Sequence, residues 1–277
     1  MKTVNIAARN AEFQKFQVLK TNRNKRHRYG EFFVEGVRNL NQAVEHGWEI
    51  RAWVCGPEGE LSRWARDLMG AAPAPVQYRL TRELLEELSG KEETSELMAV
   101  VKMRPDDFSR LATDKPAPLY VLFDRPSNRG NLGTLIRSMD SLGADGLILT
   151  GHGVDLYDPE VVGASMGSFF NVPAVYVPEN DRLGEWVREQ REKRPGFLTV
   201  GTTAHRQHPL WGQDLTGPVL LMIGNETDGL AYGFKDSCDV LCTIPMAQSS
   251  TASSFNVACA ATVMLYEAVR QREERAR

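Results

Sequence analysis

Five consecutive apolar residues, Val219-Leu220-Leu221-Met222-Ile223, end at Gly224 and constrain the fold more than any other feature of the chain. A strand with one wet face alternates apolar and polar residues. An unbroken run reads instead as a strand covered on both faces, the habit of parallel sheets. Residues 119–124 and 146–150 repeat the pattern, and 173–177, 197–202 and 240–244 add three further candidate strands. Helical spacing over 132–142 and 183–193 separates them, and a long closing helix over 256–272 carries one apolar face (Val257, Ala260, Ala261, Met264, Leu265, Ala268). Alternating strands and helices predict an α/β domain whose ligand lies beyond the carboxyl ends of its strands.

A cluster of proline and charge over 105–116 separates this region from a smaller one. Over 29–104 short strands at 30–36, 50–55, 76–80 and 98–102 alternate with helices at 37–46, 61–69 and 82–88, predicting a second, small α/β domain. Residues 1–28 hold eight Lys and Arg against one Glu, while the rest of the chain is mildly acidic. The asymmetry reads as a basic arm facing a polyanion, or as a solvated leader. Phe13 and Phe16, three apart, suit helix packing better than base stacking.

With 42% hydrophobic residues, the 277-residue chain is too apolar for a disordered, collagen-like or coiled-coil protein. It has no apolar stretch long enough for a membrane span, and no signal-peptide core at its start. Four cysteines without a C-x-x-C pair predict a reduced, cytoplasmic protein. Gly151-x-Gly153 lacks the third glycine of a dinucleotide fingerprint, and His205-x-x-His208 has no nearby partners for zinc, so no metal is expected. Cys238 and Cys242 read as packing residues beside a strand.

Three loops after strands hold the candidate chemistry. In residues 124–133, glycines permit a tight turn, Asn131 is a candidate helix cap, and Arg137 follows on the helix. In residues 223–230, two glycines flank Glu226, a carboxylate for a cation, a ribose hydroxyl or an arginine. Residues 244–256 form a hydroxyl-rich loop in which Ser254 is a candidate N-cap for the last helix. Each loop alone is compatible with ordinary turn and capping chemistry.

In this order and spacing they become specific. Asn131-x-Gly133-x-x-x-Arg137, Gly224-x-Glu226-x-x-Gly229-Leu230, and Ile244-Pro245-Met246 with Ser254-x-Asn256-Val257 resemble the three motifs of the SpoU (TrmH) branch of the SPOUT RNA methyltransferases. The resemblance covers about residues 117–272. Phe32-x-Val34-Glu35-Gly36-Val37-Arg38 is similar to the start of the small ribosomal-protein-like domain that many members carry for RNA recognition. Asn22-Arg23-Asn24-Lys25-Arg26, Ala43-Val44-Glu45-His46-Gly47-Trp48 and Leu122-Phe123-Asp124-Arg125-Pro126 are similar to the avilamycin/thiostrepton-resistance type of ribosomal RNA methylase.

The resemblance implies a trefoil-knotted, parallel-sheet catalytic domain over 117–277, an RNA-binding α/β domain over 29–104, a linker at 105–116 and a basic arm at 1–28. It implies a homodimer that transfers the methyl of S-adenosylmethionine to a ribose 2′-hydroxyl, most simply of large-subunit ribosomal RNA, with antibiotic resistance one outcome of that methylation. A transfer-RNA substrate, or a non-catalytic RNA-binding protein on the same fold, are the alternatives. The implied catalytic set is Arg137, Asn131, Glu226, Ser254 and Asn256, with Asn131 orienting Arg137. The implied cofactor contacts are Thr202, Gly224, Ile244 and Phe255. In the arm, Lys20, Arg23, Lys25, Arg26, His27 and Arg28 would meet phosphates. The chain departs from the family pattern in a longer loop before Ser254, in Gln248 where glycine is common, and in Phe255 for leucine.

Overall fold

The structure, a computed structural model, describes residues 2–203 and 208–276. It divides the chain into two compact units, Met1–Arg104 with Asp155–Asn171, and Pro105–Val154 with Val172–Arg277.

The first unit is built in the order β1 (Lys2–Ile6), α1 (Ala11–Thr21), α2 (Arg23–Tyr29), β2 (Glu31–Glu35), α3 (Val37–Glu45), β3 (Ile50–Cys55), α4 (Arg63–Ala71), β4 (Val76–Leu80), α5 (Arg82–Leu88) and β5 (Leu97–Lys102). Its five-stranded sheet runs β1-β4-β3-β5-β2, with β1, β4 and β3 parallel and β5 antiparallel to both β3 and β2. Alternate residues of β2 face opposite sides. Phe33 joins Ile6, Phe13, Phe16, Leu19, Val54 and Leu88 in one core. Phe32 instead meets Trp48, Tyr157, Phe169 and Phe170 in an aromatic cluster.

Residues 1–28 are therefore not a separate arm. Strand β1 pairs with β4 from Lys2↔Val76 to Ile6↔Leu80, and Phe13 and Phe16 are buried. Asn10 caps α1 and Asn22 caps α2, each accepting from a backbone N–H three residues on. The basic residues divide accordingly. Arg26 is 1% exposed: its Nε donates to Asp155 Oδ2 at 2.7 Å, and its Nη1 donates to Leu19 O at 3.0 Å. His27 Nε2 lies 3.0 Å from Asp155 Oδ1. Lys20 Nζ turns inward to Leu88 O and lies over the Phe33 ring, and its burial lowers the amine pKa. The expectation that Arg26 and Lys20 meet phosphates is corrected, because both are spent inside the unit. Arg28 is exposed, and Arg23 and Lys25 are partly so.

Asp155–Asn171 was expected within the catalytic domain, yet it is part of the first unit. Helix α7 (Pro159–Ala164), opened by Asp158 as N-cap, lies in this segment. Asp155 is held by Arg26 and His27, and Trp48 Nε1 donates to Phe170 O at 2.9 Å. Burial pushes the Asp155 carboxyl up, but hydrogen bonds from His27 and Arg26 and their charges hold it below the ordinary carboxylate range.

The second unit continues with β6 (Leu119–Asp124), α6 (Arg129–Ser141), β7 (Gly146–Thr150), β8 (Ala174–Tyr176), α8 (Asn180–Lys193), β9 (Leu198–Thr202), β10 (His208–Pro209), β11 (Val219–Ile223), α9 (Tyr232–Ser237), β12 (Val240–Thr243) and α10 (Val257–Arg275). Its seven strands run β10-β12-β9-β11-β6-β7-β8, and every pairing is parallel. The unbroken apolar runs of β6 and β11 are buried along their whole length at the centre of the sheet. One face is closed by Tyr120, Leu122, Trp186, Phe197, Met222 and Phe234. Helices α6 and α10 pack against each other, and Ser138 Oγ lies 2.7 Å from Thr262 Oγ1 between them. Strand β12 comes last in sequence yet lies between β9 and β10. Among the described residues no helix is long and apolar enough to cross a membrane.

Candidate active site

Parallel strands end together, so the loops that follow them collect on one edge of the sheet. Thr202 closes β9, Gly224 follows β11 and Ile244 follows β12, and these three strands are neighbours in the order β12-β9-β11. Gly224 is required by the turn itself. A Cβ there would stand 1.9 Å from Leu230 N and 2.1 Å from Gly229 C. The turn is closed by reciprocal bonds, Asn225 N to Gly229 O at 3.1 Å and Gly229 N to Asn225 O at 3.0 Å. Beyond Ile244 the segment stays open: Met246 and Phe255 are exposed apolar side chains on the approach to α10.

Glu226 stands on this turn and reaches the β6–α6 loop. Its Oε2 accepts from Ser127 Oγ at 2.6 Å and Ser127 N at 3.1 Å, and its Oε1 accepts from Asn131 Nδ2 at 3.1 Å. Asn131 Oδ1 in turn accepts from Asn256 Nδ2 at 3.1 Å. Asn256 Oδ1 accepts from Ala258 N and Cys259 N, capping α10. Burial pushes the Glu226 carboxyl up, but hydrogen bonds from Ser127 and Asn131 outweigh it and leave the pKa below the ordinary carboxylate value.

Three of the five expected catalytic residues thus converge: Asn131, Glu226 and Asn256. Their capping roles differ from expectation. Asn128, not Asn131, caps α6 by accepting from Asn131 N at 2.9 Å, so the helix starts at Arg129. Asn256, not Ser254, caps α10. Ser254 is exposed, with no side-chain hydrogen bond among the described residues.

Arg137 stands apart from this cluster. Asn131 bonds Glu226 through its amide nitrogen and Asn256 through its oxygen, and among the described residues no hydrogen bond from Asn131 reaches Arg137. Arg137 is exposed and, among the described residues, makes no side-chain hydrogen bond or ion pair. It lines an open groove of about 580 Å³ between α6 and α10, with Thr134, Leu142, Thr262, Val263 and Tyr266. Val263 and Tyr266 are 39% and 59% exposed, so the groove has an uncovered apolar rim.

Sequence reasoning missed the residues that hold the site together. Ser127 and Asn128 anchor Glu226 and cap α6. Asp124 is buried at the end of β6, where it accepts from Thr150 Oγ1 at 3.0 Å and from Ala231 N at 2.9 Å. An acidic residue at the end of an apolar strand was the available signal, because a buried carboxylate needs partners. His205 lies outside the described residues, and His208 is exposed at the start of β10. Among the described residues no cluster of three metal-ligating side chains occurs.

Comparison with known proteins identifies the family. The SpoU rRNA methylase family matches residues 118–266, and the SpoU L30e-like domain matches residues 10–99. A 23S rRNA (uridine(2479)-2′-O)-methyltransferase of Streptomyces viridochromogenes is 48% identical over 268 residues, covering 96% of this chain and 92% of that one. The crystal structure of the SpoU methyltransferase AviRb from the same organism, in complex with AdoMet, matches with a TM-score of 0.88 at 47% identity, covering 96% of this chain and 99% of that one. An AdoMet-bound rRNA methyltransferase from Sinorhizobium meliloti matches with a TM-score of 0.83 at 26% identity, over 97% of this chain and 98% of that one. The L30e-like match begins at residue 10, in keeping with the folding of residues 1–28 into the first unit. A parallel sheet whose strand ends gather Gly224, Glu226, Asn131 and Asn256, joined to an L30e-like unit, makes this chain a member of the SpoU rRNA methylase family.

Proposed function

We propose that this chain is a cytoplasmic enzyme that transfers the methyl group of S-adenosylmethionine to a ribose 2′-hydroxyl of large-subunit ribosomal RNA. The observation that carries the reading is the hydrogen-bonded convergence of Glu226, Asn131 and Asn256, beside the strand ends that present Thr202, Gly224 and Ile244. S-adenosylmethionine suits those residues. Phe255 and Ile244 offer apolar surface for adenine, and the turn at Gly224 offers main-chain groups for polar edges. When bound, the cofactor supplies an activated methyl group.

The chain's own residues position the ribose. Glu226 and Asn131 set the β6–α6 loop against the Gly224 turn, which fixes the geometry of an in-line transfer. Arginine presents five N–H donors and no acceptor, which suits Arg137 to clamping an anion. Its guanidinium clamps the neighbouring phosphate and stabilises the alkoxide forming at the 2′-oxygen, and a phosphate oxygen or a perturbed guanidinium takes the proton. Arg28, Lys25 and Arg23 on α2 give the first unit a basic surface for phosphates.

We infer a homodimer across the groove between α6 and α10. The uncovered Val263 and Tyr266 need a cover, and Arg137 beside them has no side-chain partner among the described residues. The insertion of β12 between β9 and β10 supports a threaded, knotted C-terminus. Methyl transfer from labelled S-adenosylmethionine to separate pools of unmodified large-subunit, small-subunit and transfer RNA tests the reading. A 2′-O-methyl nucleoside only in the large-subunit pool, absent with Arg137→Ala, is the expected outcome. Methylation of the transfer-RNA pool alone would overturn the substrate assignment, and wild-type protein without cofactor affinity would overturn the enzyme reading.

A further inference from the structure

Arg125 is one of only two non-glycine residues with positive φ among those described, at φ 49°. An arginine held in the left-handed region is strained by its Cβ, a strain that glycine would avoid. Its guanidinium explains the choice. Nε and Nη2 donate to Asp124 Oδ2 at 3.1 and 3.0 Å, and Nη2 also donates to Gly229 O at 3.0 Å. Its own carbonyl accepts from Asn225 Nδ2 at 2.7 Å. Arg125 is thereby bonded to both ends of the 225–229 turn.

The surroundings are shaped to admit this side chain. A Cβ on Gly151 would meet Arg125 Cγ at 2.4 Å, and one on Gly153 would meet Pro126 O at 2.7 Å. The two glycines that fail as a dinucleotide fingerprint thus give the Arg125 stem and the following proline their space. Thr150 O accepts from Arg125 N at 3.0 Å, so three loops meet at this residue.

We propose that Arg125 is a positioning residue for the methyl donor. It locks the turn carrying Gly224 and Glu226 to the loop that leads into α6 and Asn131, so that the donor site and the ribose site are set together. The inference rests on the functional reading above for what the turn binds, but the lock itself is independent of it.

The test uses Arg125→Gly in the full-length chain, because glycine keeps φ near 49° without strain while removing the whole side chain, stem and guanidinium together. Arg125→Lys, a cation too short and too simple to bridge Asp124 and Gly229 O together, is the second variant. Hydrogen exchange without ligand is expected to be at least tenfold faster at the Asn225 and Gly229 amides of both variants, with the rest of the second unit unchanged. The affinity for S-adenosylhomocysteine and the KM for S-adenosylmethionine are expected to weaken about tenfold, while the KM for RNA stays within twofold. Unchanged exchange at those amides would overturn the lock. Faster exchange with wild-type cofactor affinity would overturn the positioning role. Wild-type protein that binds no S-adenosylhomocysteine would instead overturn the functional reading and leave the exchange result to judge the lock.

Discussion

Asn256 Nδ2 donates to Asn131 Oδ1 at 3.1 Å, joining the cap of α10 to the first turn of α6 across 125 residues of sequence. Asn131 is thereby held at both ends of its amide, since its Nδ2 donates to Glu226. An asparagine can satisfy a carboxylate on one side and an amide donor on the other, and neither Asp nor Leu can do both.

Asn131→Asp replaces a donor with a second carboxylate beside Glu226. The two like charges repel, and the Glu226 pKa should rise toward or above the ordinary carboxylate value. Transfer is expected to fall about a hundredfold, the scale seen when one preorganised polar contact is lost. Circular dichroism should remain that of the wild type. Single-turnover methylation measures the effect, and a fall of less than twofold would remove Asn131 from the site.

Glu226 links the site to pH. Its pKa is lowered in the folded chain, so it contributes stability that is full above the unfolded value of about 4.3 and is lost as pH falls through the folded value. Thermal unfolding scanned on the acid side should show a smaller decline in Tm with falling pH for Glu226→Gln than for the wild type. Parallel curves for the two proteins would contradict the assigned hydrogen bonds.

Gly224→Ala places a methyl group against the backbone of Leu230 and Gly229. Backbone cannot move aside as a flexible side chain can. The expected loss is about 1–3 kcal/mol or more, and a fall of several degrees in Tm. Cofactor affinity should fall with it. Differential scanning calorimetry and ligand titration on the same sample check both.

Arg26→Ala and Arg28→Ala separate folding from RNA binding. Removing Arg26 leaves Asp155 buried without its main cationic partner, at a cost of roughly 3–5 kcal/mol, and should lower Tm strongly. Exposed Arg28 should change stability by no more than about 0.5 kcal/mol, while its loss weakens RNA binding and reduces the salt slope by about 1. Filter binding at several salt concentrations and thermal unfolding distinguish the two. A Tm loss for Arg28→Ala as large as for Arg26→Ala would show the division to be wrong.

Much of the site was legible because its loops follow strands that announce themselves. Val219–Ile223 and Leu119–Asp124 could only be strands buried on both faces, so Gly224 and the β6–α6 loop had to lie at one edge of a parallel sheet. What misled was the helix starts. Asn128 and Asn131 are both good caps by local chemistry, as are Ser254 and Asn256, and only the pull of Glu226 and Asn256 on Asn131 decides which asparagine opens α6. Arg26 misled for a related reason. Within Asn24-Lys25-Arg26-His27-Arg28 nothing local distinguishes the one arginine that turns inward to Asp155, 129 residues away.

By itself the amino-acid sequence determined the α/β class, the central strands and the three loops that carry chemistry. Those features depend on hydrophobic periodicity and turn residues, which act between near neighbours. Only the tertiary structure decided that residues 1–28 are part of a folded unit, that Asp155–Asn171 joins them, and that among the described residues Arg137 has no side-chain partner while Asn131 has two. Each of these turns on pairing between groups about a hundred residues apart, where burial and hydrogen-bond satisfaction across the packed core select one partner among several that local chemistry permits.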